Sequence, residues 1–343
     1  MENGANVVQL ASSGGGLASD LGLQQVEALM VRLAVGEGLE WTGGMVQEHL
    51  SSGGKRLRAR LALAAAGALG GSREAAVPWA AASELLHNAT LAHDDIQDGD
   101  WLRRGEPTLW VRYGLGQAIN AGDLMLMLPT LALSELGTAD GVRWQLARLL
   151  AARAAATVRG QSMEMSLLDH DQLDWGSYLA AVTGKTGQLL ALPVEGAALL
   201  NGRSPEEAAE LARAFIDLGV LFQLQDDLLD LSPEKGRVRG GDLREGKVTA
   251  LVVAYLELHP QGSDWLLDLL RAPAAHTSDE AIEEAIRALA TGGAFERVLE
   301  RIEHLGHDVR MHPALQREPA LHQLALELAD WIAAKAVLVP GAP

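Results

Sequence analysis

Three aspartates close together are the first residues in this sequence whose types and spacing could do chemistry. Asp94, Asp95 and Asp98 lie in the stretch HNATLAHDDIQD. On a helix, residues i and i+4 project from one face, so Asp94 and Asp98 would point together. Two carboxylates that close repel each other unless a cation lies between them. Magnesium takes one or two carboxylates together with substrate phosphate oxygens, so the spacing favours a metal–phosphate site. An acidic, solvated helix end is the alternative.

A second cluster with the same spacing strengthens the metal hypothesis. Asp226, Asp227 and Asp230 end the strongly apolar stretch LGVLFQLQDDLLD. Asp226 and Asp230 again fall on one helical face. Two such clusters on a helical chain predict two carboxylate walls that face each other across a cavity. Such a cavity could hold several divalent ions and a diphosphate.

Basic residues follow at breaks between the predicted helices. Lys55 and Arg58 lie in GGKRLR, and their spacing of three predicts one shared helical face. Arg103 and Arg104 follow the first acidic cluster. Arginine offers phosphate a two-pronged donor and lysine a point charge. We therefore expect these side chains to bind an anionic substrate.

Two glycine-containing motifs add further candidates. GKTG at 184–187 is predicted to open a helix, where unpaired N–H groups and the helix dipole favour phosphate. GGDLREGK at 240–247 is predicted to be a flexible loop that ends in Lys247. Neither motif has the spacing of a P-loop or of a dinucleotide-binding fingerprint.

The elements that must position these residues are helices. Apolar residues recur at i, i+3 and i+4, β-branched residues are sparse, and no alternating strand pattern is bounded by hairpin turns. We expect an all-α protein with a flexible arm at 1–18 and a single helical domain at 19–343, whose first helix is capped by Ser19 or Asp20. The main helices are predicted at 75–98, 115–136, 142–168, 184–200, 205–231, 248–258, 263–270, 279–290, 294–309 and 319–336.

Composition excludes several other classes of protein. The chain has 343 residues, with 45 acidic and 28 basic side chains and a net charge of −17, which argues against general nucleic-acid binding. It has no cysteine, which excludes disulfides, thiolate metal sites and cysteine nucleophiles. No uncharged apolar run reaches 18 residues and the N-terminus does not resemble a signal peptide, so we expect no membrane span and a cytoplasmic protein.

Taken in order, the motifs closely resemble those of the trans-isoprenyl diphosphate synthases, the polyprenyl synthetase family. The resemblance covers about residues 52 to 249, through GGKRLR, HNATLAHDDIQD with RRGEPT, GKTG, FQLQDDLLD and GGDLREGK. It implies a bundle of long, mostly antiparallel helices around a deep central cavity, paired as a homodimer. It also implies Mg²⁺-dependent, head-to-tail condensation of isopentenyl diphosphate with an allylic diphosphate, giving an all-trans prenyl diphosphate.

The resemblance implies three Mg²⁺ ions at each active site. Asp94 and Asp98 would ligate two ions on the allylic diphosphate, with Asp95 beside them. Asp226 would ligate the third, and Asp227 and Asp230 would support it through water.

The resemblance also divides the other side chains between the two substrates. The allylic diphosphate would be bound by Arg103, Lys185 and Lys247. The diphosphate of isopentenyl diphosphate would be bound by Lys55, Arg58, His87 and Arg104. Thr186 and Gln223 would line the reacting carbons. One departure is Arg237, which stands where the family often has a lysine.

Product length is predicted from the residues just before the first cluster. In the family, bulky aromatics four or five residues before the first aspartate stop the chain early, and here those positions hold the small residues Thr90 and Ala89. We expect products longer than C15, with a floor formed lower down by Met125, Met127, Leu128 or Pro129. Three alternatives remain open: a C15 farnesyl diphosphate synthase, a class I terpene cyclase on the same fold, and a non-catalytic subunit. A non-catalytic subunit should lack one or both acidic clusters.

Overall fold

The computed structural model describes residues 16–36, 41–169, 173–231 and 239–336. Helices make up most of this part of the chain, which confirms the all-α prediction. The predicted arm at 1–18 and Arg237 lie outside the described residues, except that residues 16–18 already belong to the first helix. No helix in the described part is long and apolar enough to cross a membrane.

The helices are named here in chain order. They are α1 (Gly16–Val35), α2 (Trp41–Ser51), α3 (Leu57–Ala68), α4 (Val77–Gln97), α5 (Leu109–Tyr113), α6 (Leu115–Ser134), α7 (Asp140–Met165), α8 (Trp175–Val182), α9 (Gln188–Leu200), α10 (Pro205–Asp230), α11 (Gly241–Arg244), α12 (Ala250–Leu258), α13 (Asp264–Arg271), α14 (Asp279–Thr291), α15 (Ala294–Arg310), α16 (Pro313–Gln316) and α17 (Pro319–Ala336). A two-stranded antiparallel ladder joins β1 (Leu102–Arg103) to β2 (Glu106–Pro107).

The chain divides into two compact units, each assembled from separated stretches. Unit 1 comprises Met1–Ala154, Leu189–Ala212 and Arg317–Leu324. Unit 2 comprises Ala155–Gln188, Arg213–Gln316 and Ala325–Pro343. The expectation of one domain from residue 19 onward stays a prediction.

Helix α4 is the central helix of unit 1, and it packs along α6, α3 and α1. It begins with Pro78 in its first turn, where a missing N–H costs nothing. Small alanines and the buried Trp79, Leu85 and Leu86 then cover most of its circumference. A helix that is apolar nearly all round is a buried one. Trp79 also donates from Nε1 to the carbonyl of Pro193 at 2.9 Å, which ties α9 to this core.

Unit 2 is organised around the C-terminal half of α10. Phe215, Leu224 and Leu228 are fully buried there. Helix α12, which is almost wholly apolar, packs against α15 and α8. The last five long helices begin and end within about two residues of their predicted limits.

The start of one helix and the presence of others differ from the predictions. Helix α1 begins at Gly16, so Ser19 and Asp20 lie inside it and do not cap it. Helices α2 and α8 had no predicted counterpart. Both are short and follow polar or glycine-containing sequence, so their apolar periodicity is weak.

Candidate active site

The first acidic cluster lies at the C-terminal end of α4. Asp98 is the residue that caps the helix, and Gly99 follows with a φ of 70°. The N–H of Asp100 donates to the carbonyl of Asp95 at 2.9 Å, which completes a glycine-terminated helix end. The last turn therefore presents Asp94 and Asp98 together, as predicted. Carboxylates are unfavourable at this end of a helix dipole, so they gain from a nearby cation.

Asp95 points the other way, into the protein. Its carboxylate is buried and accepts hydrogen bonds from the guanidinium of Arg103. Burial raises the pKa of Asp95, and Arg103 opposes that rise. Asp95 thus fixes Arg103 next to the acidic face, and its predicted role beside the metal ions stays a prediction.

A tight hairpin carries Arg103 and Arg104. Arg104 and Gly105 both have positive φ, at 58° and 86°, which is the backbone of a two-residue hairpin turn. The sequence pattern gave no sign of this ladder, because two-residue strands are too short to show alternation. Arg104 donates to the carbonyl of Gly53. A Cβ on Gly54 would lie 2.7 Å from the Arg104 guanidinium carbon, so only glycine permits this approach.

The predicted shared face of Lys55 and Arg58 is wrong. Helix α3 begins at Leu57, and Arg56 precedes it in the left-handed conformation, with φ 47° and ψ 41°. Arg56 turns its guanidinium inward, where Nε donates to Glu27 at 3.1 Å and a second nitrogen donates to the carbonyl of Leu50. The chain cannot continue the helix back to Lys55, which is exposed before α3.

Three arginines are near enough to His87 to affect it electrostatically. Burial lowers the pKa of His87 well below its usual value, and Arg58, Arg104 and Arg103 lower it further. Burial also lowers the pKa of Arg58 to about 10. Within the described residues, Arg58 Nε and His87 Nδ1 are buried without a hydrogen-bond partner. The structure therefore groups three of the four residues predicted for isopentenyl diphosphate, namely Arg58, His87 and Arg104.

The predicted chain-length residues differ in exposure. Ala89 is completely buried, whereas Thr90 is half-buried and donates from Oγ1 to the carbonyl of His87 at 2.8 Å. Helix α6 does pack along α4, and its Met125 and Leu128 are buried. Met127 is 62% exposed, so it is not part of a floor within this unit.

The second acidic cluster ends α10, as predicted. Asp226 and Asp230 are half-buried, whereas Asp227 is buried. Asp227 Oδ2 accepts from the Tyr178 hydroxyl at 2.6 Å and from the N–H of Ala250 at 2.7 Å. Its Oδ1 accepts from Gln223 at 2.9 Å. Burial raises the pKa of Asp227 to about 7. Both oxygens bind protein donors, and the proposed contact of Asp227 with metal-bound water stays a prediction.

The motif GGDLREGK does not form a flexible loop. Residues 241–244 form the short helix α11, because Gly240 adopts a left-handed conformation and the N–H of Asp242 donates to Asp230 Oδ2 at 3.2 Å. Burial and the neighbouring carboxylates of Asp230 and Asp227 raise the pKa of Asp242 well above its usual value. Lys247 ends the motif, and its Nζ lies 2.9 Å from Glu245 Oε2.

The motif GKTG does not open a helix. Thr183–Gly187 is a π-helical turn that continues α8 directly into α9, with helical backbone on both sides. The predicted helix N-terminus, with its unpaired N–H groups, is therefore absent here. The turn fits because of close glycine contacts: a Cβ on Gly184 would lie 2.7 Å from Gly160 Cα, and one on Gly219 would lie 2.6 Å from Gly187 Cα. Such single π turns are frequent at functional sites.

The π turn places two of the predicted residues beside partners. Lys185 forms an ion pair with Glu164 of α7. Thr186 Oγ1 donates to Gln223 Oε1 at 3.1 Å, and Gln223 in turn binds Asp227. The structure thus brings Thr186 and Gln223 together, in one chain of hydrogen bonds that reaches the second acidic cluster.

Several polar residues of these surroundings had no predicted role. They are His49 and Glu84 in unit 1, and Glu164, Tyr178 and Asp242 in unit 2. Only Asp242 lies in a motif already singled out. The others are single polar residues within helices, and no local spacing distinguishes them from ordinary helical residues.

The carboxylates suit a hard divalent cation. Magnesium prefers oxygen ligands and keeps part of its shell for water and substrate phosphates. In the described part of the chain, no three acidic or histidine side chains are grouped closely enough to hold an ion by themselves. A magnesium ion bound at Asp94 and Asp98, or at Asp226, would therefore need diphosphate oxygens to complete its coordination.

The all-α fold with two aspartate-rich helix ends is that of the isoprenoid synthases. The model of the polyprenyl synthetase family matches residues 39–289. The chain therefore belongs to the polyprenyl synthetase family.

Known relatives match over most of their length. The short chain isoprenyl diphosphate synthase of Methanothermobacter thermautotrophicus is 32% identical over 83% of this chain and 88% of its own. The geranylgeranyl pyrophosphate synthase of Geoglobus acetivorans is 33% identical over 83% of this chain and 88% of its own. The crystal structure of a polyprenyl synthetase from Streptomyces coelicolor superposes with a TM-score of 0.81 at 27% identity, covering 91% of this chain and 98% of that one.

Proposed function

We propose that this protein is a prenyltransferase that elongates an allylic diphosphate with isopentenyl diphosphate and gives a product of C20 or longer. The observation that carries the proposal is a basic cluster close in sequence to the acidic end of α4. Arg58 Nε and His87 Nδ1 are buried without a hydrogen-bond partner in the described residues, and Arg103 and Arg104 line one cavity with His49. A diphosphate would supply such a cluster with acceptor oxygens and negative charge. A terpene cyclase binds one diphosphate, whereas two diphosphate substrates require a second set of cations.

The acidic and basic side chains of the site have separate proposed roles. Asp94 and Asp98 would hold two Mg²⁺ ions and Asp226 a third, and bound Mg²⁺ would supply positive charge to the departing diphosphate. The allylic diphosphate is gripped by Arg103, Lys185 and Lys247. The second diphosphate is gripped by Lys55, Arg58, His87 and Arg104. The partial burial of Arg103 and Lys185 strengthens their attraction for phosphate over that of solvated side chains.

The reaction needs no protein nucleophile. The allylic C–O bond breaks, and the charge that leaves with the diphosphate is stabilised by the fixed cations. The double bond of isopentenyl diphosphate attacks the allylic carbocation, and a proton then leaves to the released diphosphate. Thr186 and Gln223 would line the reacting carbons, and the hydrogen bonds that join them to each other and to Asp227 support this role. The protein therefore binds and orients the two substrates and stabilises the charge that develops on the departing diphosphate.

A product longer than C15 is supported by two observations. The residue four before Asp94 is Thr90, a small side chain where the family's short-product enzymes carry bulk. The relative from Geoglobus acetivorans is named for geranylgeranyl, a C20 group. Because Ala89 is completely buried, Thr90 is the position where bulk would project from α4.

The role of the first cluster is tested by Asp94→Ala. We expect isopentenyl diphosphate consumption, followed with a radiolabel in the presence of Mg²⁺, to fall at least a hundredfold. Helicity and melting temperature should stay within error, because Asp94 is half-buried at a helix end. Glu74→Ala, at an exposed site, is the control and should retain wild-type activity. Undiminished activity in Asp94→Ala, or a loss that follows loss of helicity, would refute the proposed role.

A homodimer forms part of the proposal. Helix α6 exposes Leu115, Ile119, Met127 and Leu131 on one unit, although soluble helices normally bury such side chains. A second copy of this chain is the partner that the family resemblance implies. In sedimentation, we expect the wild type at twice its 36.4 kDa chain mass and Ile119→Asp shifted toward the monomer. Leu258→Asp, at a similarly exposed apolar site in unit 2, should remain dimeric. A monomeric wild type would refute the dimer.

A further inference from the structure

Glu84 is a buried carboxylate to which the proposed reaction assigns no step. It lies in α4, one turn before His87, and only 3% of it is exposed. A buried carboxylate is costly unless it accepts hydrogen bonds and lies near positive charge. Its contacts therefore indicate what it contributes.

The carboxylate of Glu84 caps a neighbouring helix. Its Oε2 accepts a hydrogen bond from the N–H of Ala59 at 3.1 Å, and Ala59 is the third residue of α3. The first N–H groups of a helix have no partner within the helix. The residue that precedes α3, Arg56, supplies no side-chain cap. Glu84 takes over that role from another helix, and its negative charge suits the helix start.

The same carboxylate supports two of the clustered cations. Arg58 is the second residue of α3, directly before the capped N–H. Burial lowers the pKa of Arg58 and of Arg104, and Glu84 opposes the fall in both. Asn88 lies one turn further along α4, and its Nδ2 donates a hydrogen bond to the backbone carbonyl of Glu84 at 2.8 Å.

We propose that Glu84 is a positioning residue for the isopentenyl diphosphate site, because its bond to Ala59 fixes the start of α3 and thereby places Arg58 beside His87 and Arg104. The inference rests on the proposed function, in which these three side chains bind that diphosphate. Glu84 itself is buried, so its effect on substrate is indirect.

Two substitutions separate the reach of the side chain from its charge. Glu84→Asp keeps the charge but shortens the side chain by one methylene, so it loses the bond to Ala59. Glu84→Gln keeps an oxygen at full reach and loses the charge. We expect Glu84→Asp to raise KM for isopentenyl diphosphate about tenfold, with KM for the allylic diphosphate within twofold. Glu84→Gln keeps the bond to Ala59 and loses only the charge near Arg58 and Arg104, so it should raise KM for isopentenyl diphosphate less than about threefold and leave KM for the allylic diphosphate unchanged.

Glu195→Asp is the matched control. Glu195 is also a buried glutamate of unit 1, but its partner is Arg153 on α7, which belongs to neither substrate site. This variant should lower the melting temperature and leave both KM values unchanged.

The outcomes separate this inference from the proposed function. A wild-type chain that fails to elongate any allylic diphosphate refutes the proposed function itself. With an active wild type, an unchanged KM in a folded Glu84→Asp overturns the role of Glu84. The reverse pattern, with Glu84→Gln impaired and Glu84→Asp normal, also overturns it. The role is also overturned if Glu84→Asp raises both KM values equally, in proportion to a fall in its melting temperature. If Glu84→Asp does not fold, a tenfold higher KM for isopentenyl diphosphate in Glu84→Gln overturns it.

Discussion

Neighbouring aspartates within each cluster have different surroundings. Asp94 and Asp98 are half-buried on one face of α4, whereas Asp95 is buried against Arg103. The second cluster repeats the arrangement: Asp226 and Asp230 are half-buried, and Asp227 binds three protein donors. The middle aspartate of each motif therefore faces into the protein. The i, i+4 spacing predicted which pair points together, but not what the inward aspartate binds.

This difference predicts opposite effects of neighbouring substitutions. Asp227→Ala leaves buried donors of Tyr178, Gln223 and Ala250 unpaired, so we expect a loss of about 3 kcal/mol in the free energy of unfolding. Asp226→Ala should change stability by less than about 0.5 kcal/mol while lowering elongation at least a hundredfold. Urea denaturation and a radiolabel assay measure the two effects. A stable Asp227→Ala would show that its hydrogen bonds are not needed.

His49 predicts a loss of stability in mild acid. It is 7% exposed, and burial, helped by Arg103 and Arg104, lowers its pKa to about 4 from 6.5. The folded protein therefore binds this proton less well than the unfolded chain. The contribution of His49 is fully present above pH 6.5 and is lost as the pH falls from 6.5 to 4, by about 3 kcal/mol in all.

Urea denaturation of the wild type and of His49→Gln, at pH 7 and at pH 4.5, measures this contribution. We expect the free energy of unfolding to fall less steeply with pH in the variant, which has no imidazole to protonate. His304→Gln, at an exposed site, is the control and should keep the wild-type slope. Equal slopes in the wild type and His49→Gln would contradict the account.

At the scale of elements, the π turn depends on glycines in the helices around it. A Cβ on Gly160 of α7 would overlap the backbone of Lys185 and Gly184. We expect Gly160→Ala to displace the turn, lower stability by about 2 kcal/mol or more, and reduce elongation at least tenfold. Gly141→Ala lies on the same helix with open space around it, so it should keep activity and be slightly stabilised. Wild-type behaviour of Gly160→Ala in melting and activity assays would refute this packing.

The helices could be predicted where apolar periodicity was long and the ends were marked. Helix α10 begins after Ser204 with Pro205 and ends at Asp230, as its pattern indicates. The predictions of helix starts were wrong where a glycine or a basic residue serves another structural purpose. Gly184 and Gly187 resemble a helix start but permit close helix packing, and Arg56 adopts a left-handed conformation that local sequence does not reveal. Both are set by contacts distant in sequence.

At the scale of the whole molecule, a chain with net charge −17 is proposed to bind two diphosphates. Long-range electrostatic repulsion between this net charge and the diphosphates works against binding, so binding must rest on local groups. The structure places such groups beside carboxylates: Arg103 on Asp95, Lys185 on Glu164 and Lys247 on Glu245. Asp95 is buried and fixes Arg103, whereas the pairs of Lys185 and Lys247 are more exposed. The motif order predicted these cations, whereas their carboxylate partners became visible only in the folded structure.

The most direct test of the account is the size of the product. The purified protein is incubated with Mg²⁺, isopentenyl diphosphate and C5, C10 or C15 allylic diphosphate, and the dephosphorylated products are sized by mass spectrometry. We expect elongation of at least one primer to an all-trans product of C20 or longer. Failure to elongate any primer would contradict the proposed activity, and a product that stops at C15 would contradict the role assigned to the small residue Thr90.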